Sequence, residues 1–519
     1  MQLETLLMAL AAAEMRGPVA VQIDHIAYDS RAVGPDSMFV AIRGTHTDGH
    51  RFIDQAITRG AVAIVYDDEQ ALNSVDAARR SGLAWIKVPN SRAALAPLAA
   101  AFYTYPANRL RVVGVTGTKG KTTTATLCAH VLDRGGHRSG MVSTANFKLG
   151  SQWSDNTTRQ TTPEALEVQQ LLQEMVTAGC DHAVVEASSH ALSARWNRVG
   201  SCAFDVAVFT NVTHEHLDYH GTVEQYRRDK ARLFEMLHDE LPATQPIVVD
   251  KQHKVAVVNL DDPHAGLYLE AAGLSVDHLT YAIEHPGAHV RAIDVDLRSD
   301  GVTYTALTPW GEAEIQLRLP GHFNVLNSLA ALCVGLAEGI ALTECAAALA
   351  AVEGVTGRME RVDVGQPFTV IVDYAHNPDS FEQVMAMMRP LTNGKLISVF
   401  GSAGERDTEK RALQGAIAGR YCDLVIITDE DPRDEDREAI LEAIAVGVRE
   451  TGKHMGSGYR KIADREQALR AAFEAAAPGD IVLLLGKGHE SCIVYEHGRK
   501  LPWLERAAAE RILHEMGAA

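Results

Sequence analysis

The chain has 519 residues, 46% of them hydrophobic and 22% charged, with a formal net charge of −18. At about 150 residues per domain this length suggests three or four domains, and the apolar content is enough for several cores, which excludes a disordered chain. The acidic balance argues against nucleic acid as a partner and requires that any anionic substrate meet a local basic or backbone-donor pocket.

The acidic start Met1-Gln2-Leu3-Glu4 lacks the basic stretch of a secretory signal. No apolar run reaches the roughly 18 residues needed to cross a bilayer. Cytoplasmic location without membrane insertion is therefore expected. Seven scattered cysteines, with no CxxC pair, fit reduced thiols and argue against a cysteine-type metal centre.

Residues 1–106 carry short strand-like runs at 21–23, 37–42 and 61–65 with turn residues between them, which predicts a small α/β unit ending in a linker at 105–108. Over 107–352, apolar strands at 112–115, 183–185, 206–209 and 255–258 alternate with helical patterns. Near-continuous apolar strands separated by helices predict a parallel sheet covered on both faces. The stretch 326–352 reads as buried helix. The alternation restarts in 353–519, with strands at 369–372, 396–400, 424–427 and 481–485, so a second large α/β domain is expected there.

The most informative segment is Gly114-Val115-Thr116-Gly117-Thr118-Lys119-Gly120-Lys121-Thr122-Thr123, between a strand and a helix. Its glycines let backbone N–H groups turn inward around phosphate oxygens, and the helix N-terminus adds its dipole. The pattern is GxxGxxGKT rather than the strict GxxxxGK form. Lys121 would reach the β- and γ-phosphates and the Thr122 hydroxyl would meet magnesium, so ATP or GTP binding is expected.

Downstream, a strand ends in Glu186, a carboxylate well placed for magnesium beside a phosphate loop. The stretch from Thr210 to Gly221 holds His214, His216, Asp218 and His220. Without cysteines, these fit a nucleotide-bound hard cation better than zinc. Lys230, on a predicted helix, reads from its neighbours as solvated surface.

Taken in order, several motifs resemble the Mur ligase family. They are 117–123, Thr161-Thr162-Pro163-Glu164, 186–192, Phe209-Thr210-Asn211 and His216-Leu217-Asp218-Tyr219-His220-Gly221. The C-terminal half adds Gly357-Arg358-Met359-Glu360, Asp373-Tyr374-Ala375-His376-Asn377-Pro378, Phe400-Gly401 with Arg406-Asp407, and Gly486-Lys487-Gly488-His489-Glu490. Asp29-Ser30-Arg31 and Asp48-Gly49-His50 extend the resemblance over nearly the whole chain.

The resemblance implies an α/β three-domain architecture: a small N-terminal α/β domain (1–106) for the UDP substrate, a central P-loop parallel-sheet ATPase domain (107–352), and a C-terminal Rossmann-like domain (353–519) for the amino acid. It implies an ATP-dependent amide ligase of cytoplasmic peptidoglycan precursor synthesis. Such an enzyme adds a diamino acid, as third residue, to UDP-N-acetylmuramoyl-L-alanyl-D-glutamate through an acyl phosphate. Catalysis would rest on Lys121, Glu186, His216 and Lys230. ATP would be held by Gly117, Thr118, Lys119, Gly120, Lys121, Thr122, Thr123, Asn324, Arg358 and Asp373. Magnesium would be held by Thr122, Glu186, His216 and Lys230, the last as a carbamate, which turns a repelling ammonium into an anion. The UDP substrate would meet Ser30, Thr45, His46, Thr161, Thr162, Ser188 and Arg198. The amino acid would meet Arg406, Glu430, Asp431, Arg433, Gly486 and Glu490. A monomer with these two organic substrates is expected.

Two features depart from the family pattern. Extra residues within 193–197 leave Arg195 and Arg198 competing for one substrate-facing position. Glu430-Asp431-Pro432-Arg433 stands where members using meso-diaminopimelate carry Asp-Asn-Pro-Arg. Arg433 and Arg406 suit the distal carboxylate of diaminopimelate, whereas Asp431 favours the cationic terminus of lysine or ornithine. Diaminopimelate is the narrow first choice. The rival readings are a folylpolyglutamate synthase or another Mur-type ligase, and a nucleotide-binding regulator without catalysis.

Overall fold

The computed structural model describes residues 1–44, 47–70, 75, 81–158, 160–213, 217–239 and 249–517. By its contacts the chain divides into two units, one of 1–291, 308–311 and 329–345, the other of 292–307, 312–328 and 346–519.

The first unit contains two sheets. The N-terminal strands β1 (Glu14–Arg16), β2 (His25–Ala27), β3 (Ser37–Val40), β4 (Ala61–Tyr66) and β5 (Ala84–Lys87) are ordered β1-β5-β4-β3-β2. They pair in parallel except for β1. The expected strand at 21–23 is not part of this sheet. Those residues instead bond to the first turn of the chain, Leu3 N–H to Val21 O at 2.9 Å and Ile23 N–H to Met1 O at 2.8 Å, and the edge strand forms just downstream. The helix Ser91–Phe102 closes this segment, capped by the Asn90 side chain.

The second sheet of this unit is built on β6 (Arg111–Thr116), β7 (Ser139–Val142), β8 (Asn146–Leu149), β9 (Gln152–Asp155), β10 (His182–Glu186), β11 (Val206–Phe209), β12 (Val255–Asn259) and β13 (Asp277–Ala282). Their order is β13-β12-β11-β6-β10-β7-β8-β9. From β13 to β7 every pairing is parallel, while β8 and β9 add an antiparallel extension. The strands β6, β7, β10, β11 and β12 are buried at every position, as the apolar runs at 112–115, 183–185, 206–209 and 255–258 predict for all of them but β7. Strand order reverses beside β6, and a crevice at the carboxyl ends of such strands is where open α/β sheets bind ligands.

The expected single helix over 326–352 is two helices, His322–Ala337 and Leu342–Ala350. Gly339, at φ +79°, ends the first, and the Ile340 N–H donates back to Gly335 O at 2.9 Å.

In the second unit, β17 (Glu360–Val362), β18 (Thr369–Asp373), β19 (Leu396–Phe400), β20 (Leu424–Ile427), β21 (Tyr459–Lys461) and β22 (Ile481–Leu485) are ordered β17-β18-β22-β19-β20-β21, all parallel but β17. The unit also includes most of β14 (Val290–Arg298), β15 (Gly301–Thr308) and β16 (Gly311–Leu317). Alternate residues feed two cores: Ile371, Phe400, Ile427 and Leu483 on one face, Val372, Val399, Ile426 and Leu484 on the other. No helix among the described residues is long and apolar enough to cross a membrane.

Candidate active site

Three neighbouring strands of the first unit end together. β6 runs into the loop 117–120 and the helix Lys121–Arg134, β10 ends on Glu186, and β11 is followed by Thr210 and Asn211. Gly117 has φ +151°, and a Cβ there would lie 1.9 Å from the Thr210 hydroxyl, while Gly120 has φ +85°. Only glycine fits at 117, and the positive φ favours it at 120. Thr210 and Asn211 hold the loop: the Thr118 N–H donates to Asn211 O at 2.8 Å, the Lys119 N–H to Asn211 Oδ1 at 3.0 Å, and the Thr210 hydroxyl to Lys119 O at 2.7 Å. The motif Phe209-Thr210-Asn211 is thus the brace of the phosphate loop.

Lys121 Nζ folds onto the carbonyls of Gly117 and Thr118, at 3.0 and 2.8 Å. Thr123 is buried at the start of the same helix. The Thr122 hydroxyl donates to both oxygens of Glu186, at 3.2 and 3.1 Å, and Glu186 also accepts from the Thr144 N–H and hydroxyl. Lys230 is not solvated surface. It is 1% exposed, donates to Gly117 O at 2.6 Å, and lies 4.6 Å from the Tyr226 ring. The hydrophobic positions of the helix Val223–Glu235 face the core and carry Lys230 in with them. A buried carboxylate and a hydroxyl give the oxygen ligands that a hard cation takes, beside a helix N-terminus that receives the phosphate, so these residues fit magnesium. His216 lies outside the described residues. His220 is held by Asp229 at 2.6 Å and Ser189 at 3.0 Å.

Beside Glu186, Thr162 donates to Glu186 O at 2.7 Å and accepts from the Ser188 N–H at 3.1 Å. Arg198 donates to Thr162 O at 3.1 Å. Thr161, next in chain, is half-buried. Arg198 and Arg92 both reach Glu164 Oε1 at 2.8 Å, and their guanidiniums lie 4.5 and 4.0 Å from the Trp196 ring. Arg195, by contrast, is exposed and lines a cavity of about 400 Å³ together with Arg43, Asn90, Arg92, Trp196 and Tyr219. Sequence reading missed this cavity, because its walls come from segments far apart in the chain. Ser30 is buried and donates to Gln55 at 2.9 Å, and Thr45 and His46 lie outside the described residues.

The second unit gathers its own group at the carboxyl ends of β18, β22 and β20. Asp373 accepts from the Met359 and Ala375 N–H groups, both at 2.8 Å, and burial raises its pKa. The Arg358 guanidinium lies 4.8 Å from the Tyr374 ring. Gly357 meets the 486–490 segment so closely that a Cβ would lie 2.4 Å from His489 N, and burial lowers His489 to about 3, keeping its imidazole neutral. Lys487, fully buried, bridges Asp431 at 2.9 Å and Glu490 at 2.5 Å. Asp431 also accepts from the Val494 N–H at 2.9 Å.

The negative charge that Asp431 adds to the sequence is therefore partly offset by Lys487, which it shares with Glu490. Glu430, beside Gly486, is buried without a hydrogen-bond partner at Oε2, and desolvation raises it to about 7. Arg433 sits at φ +57° with its Nε buried and unpartnered, whereas Arg406 is exposed. Asn324 is buried, donating to Pro320 O at 2.8 Å and accepting from Asn327.

Known proteins match this arrangement over its full length. Family models match three stretches: the Mur ligase family catalytic domain at 22–103, the Mur ligase middle domain at 115–335, and the Mur ligase glutamate ligase domain at 357–488. A UDP-N-acetylmuramyl-tripeptide synthetase of Roseiflexus sp. (strain RS-1) is 56% identical over 517 residues, covering 100% of this chain and 99% of that one. A UDP-N-acetylmuramoyl-L-alanyl-D-glutamate–2,6-diaminopimelate ligase of Geobacillus kaustophilus is 41% identical over 490 residues, covering 94% of each. A solved structure of a ligase of that same name superposes with a TM-score of 0.68 at 28% identity, over 99% of each chain. With an α/β architecture in three matched domains and a braced phosphate loop, the chain belongs to the Mur ligase family and is an ATP-dependent ligase.

Proposed function

We propose that the protein joins a diamino acid to the D-glutamyl γ-carboxylate of UDP-N-acetylmuramoyl-L-alanyl-D-glutamate, in the cytoplasm and as a monomer. The observation that carries this reading is the end-to-end likeness to a tripeptide synthetase at 56% identity. The parts are 1–106 for the UDP end, 107–352 for ATP and 353–519 for the amino acid. Ser30, Thr45 and His46, with the cavity beside Arg195, take the UDP moiety. Thr161, Thr162, Ser188 and Arg198 line the way to the reacting carboxylate, with Arg195 the better candidate for direct contact because Arg198 is committed to Glu164.

A carboxylate is a poor acyl donor, so ATP first phosphorylates it. The loop 117–123 cradles the phosphates, and Lys121 stabilises charge that spreads over the transferring group. Asn324, Arg358 and Asp373 hold the rest of the nucleotide. Thr122, Glu186, His216 and carbamylated Lys230 would hold magnesium, which supplies charge compensation on the phosphates when bound. The neutral amine then attacks the acyl phosphate, phosphate leaves, and an amide forms. Positioning and electrostatics suffice, without a nucleophilic side chain.

For the amino acid, meso-2,6-diaminopimelate is favoured. Lys487 pairs with Asp431 as well as Glu490, which weakens the charge argument for lysine or ornithine, and Arg433 offers an unpartnered buried Nε to a distal carboxylate. Glu430 and Glu490 are the acceptors for an ammonium, with Gly486 and Arg406 completing the group.

The test is phosphate release from ATP by the purified chain, with the UDP-muramoyl-dipeptide and each of diaminopimelate, lysine and ornithine. Release should require the UDP substrate and be fastest with diaminopimelate. A preference for lysine would overturn the amino-acid assignment alone, and indifference to all three would overturn the ligase reading. Lys230→Ala should lower the rate by at least about a hundredfold, and bicarbonate should not restore it.

A further inference from the structure

A second group of donors lies at the opposite end of the central sheet. His137 follows the helix Lys121–Arg134, Asp181 precedes β10, and His182 opens it, so the length of β10 puts roughly 13 Å between His182 and Glu186. His182 Nδ1 lies 3.0 Å from Asp181 Oδ1, and His137 Nδ1 lies 3.4 Å from Asp181 Oδ2. One donor atom from each of the three residues falls within 4.8 Å of the others, and they form the one such group of metal-ligating type among the described residues. The imidazole rings are 4.2 Å apart, centre to centre.

The other nitrogen of His182 shows how the site is charged. Nε2 meets Glu338 Oε2 at 3.1 Å, and Glu338 is anchored by Arg111 at 2.6 Å. With Glu338 on Nε2, Nδ1 is the nitrogen of His182 that faces the Asp181 carboxylate, where a proton or a metal ion can lie between them. His137 adds a third donor on the same side, more than a single proton requires. A carboxylate holding the remote nitrogen of a ligating histidine is the usual support of a metal-bound imidazole. The 3.4 Å from His137 Nδ1 to Asp181 Oδ2 matches the edge, about 3.3 Å, of a tetrahedron with bonds of about 2.0–2.1 Å, while the 3.0 Å from His182 Nδ1 to Oδ1 is shorter. Asp181 and His137 are partly exposed, with side chains 48% and 29% accessible, which gives an entry path and room for a water as fourth ligand.

We propose that His137 Nδ1, His182 Nδ1 and an Asp181 oxygen bind one zinc ion, separate from the nucleotide site, with Glu338 fixing His182 from behind. The ion ties the turn after the phosphate-loop helix to the start of β10. Its nitrogen-rich donor set selects zinc over magnesium.

The experiment uses the untagged full-length chain, stripped with a chelator and titrated with zinc against a chromophoric competitor in buffer saturated with magnesium. One zinc per chain is expected, with an affinity at least tenfold lower in His137→Ala and in Asp181→Asn. Cobalt should give a visible ligand-field spectrum that both variants lose. His137→Ala, at a partly exposed turn, should keep magnesium-dependent phosphate release. A native chain that takes up no zinc, or variants that bind it with undiminished affinity, would overturn the site.

Discussion

Single residues in the second unit carry charges that their neighbours decide. Glu430 is ionised in an unfolded chain above its ordinary value of 4.5, but burial raises it to about 7 in the fold. Below about pH 4.5 both states hold the proton. Between 4.5 and 7 only the folded state does, so stability should fall as pH rises through this window and level off above it. The full loss is on the order of 3 kcal/mol. Denaturant unfolding of the native chain and of Glu430→Gln at pH 5 and pH 8 checks this: the variant should lose less stability between the two. Lys487 shows the opposite balance, because two carboxylates keep its ammonium charged despite complete burial.

Between elements, the decisive contact in the first unit is the Glu164 carboxylate. It sits at the N-cap of the helix Ala165–Thr177 and takes Arg92 from the helix Ser91–Phe102 and Arg198 from the loop after Ser193. Both guanidiniums are buried and share one oxygen. Glu164→Gln leaves two cations facing a neutral amide, and breaking a buried ion pair on one side costs about 3–5 kcal/mol. Urea unfolding should register that loss, and substrate affinity should fall with it because Arg92 also lines the cavity. Arg195→Ala, at an exposed position, should leave stability within about 0.5 kcal/mol of the native value and raise the KM for the UDP substrate. The phosphate loop follows the same logic of braces: its shape depends on β11 as much as on its own glycines.

On the scale of the molecule, the chain divides into two contact units, while its family models fall in three stretches. Units with separate cores need not unfold together. Calorimetry should give a total enthalpy larger than the van't Hoff enthalpy, and a non-hydrolysable ATP analogue at about 100 times its Kd should add about 2.7 kcal/mol to the unit that holds the phosphate loop. A single two-state transition would contradict this.

The phosphate loop and the buried parallel strands were legible because they depend on local rules: glycine where φ is positive, a helix N-terminus for an anion, unbroken apolar runs where both faces of a sheet are covered. So was Glu186, placed by the end of its strand. The sequence misjudged what depends on neighbours distant in the chain. Lys230 reads as surface from its polar context, and only the family resemblance placed it in the site; the face of its helix turns it into the core. Asp431 reads as an uncompensated charge, yet it pairs with Lys487, 56 positions on. Neither Arg195 nor Arg198 can be preferred by spacing, and only packing committed one to Glu164 and left the other on the cavity wall. Order along the chain determines which chemistry is present; burial and pairing across it determine which of those groups remain charged, and which are free to meet a substrate.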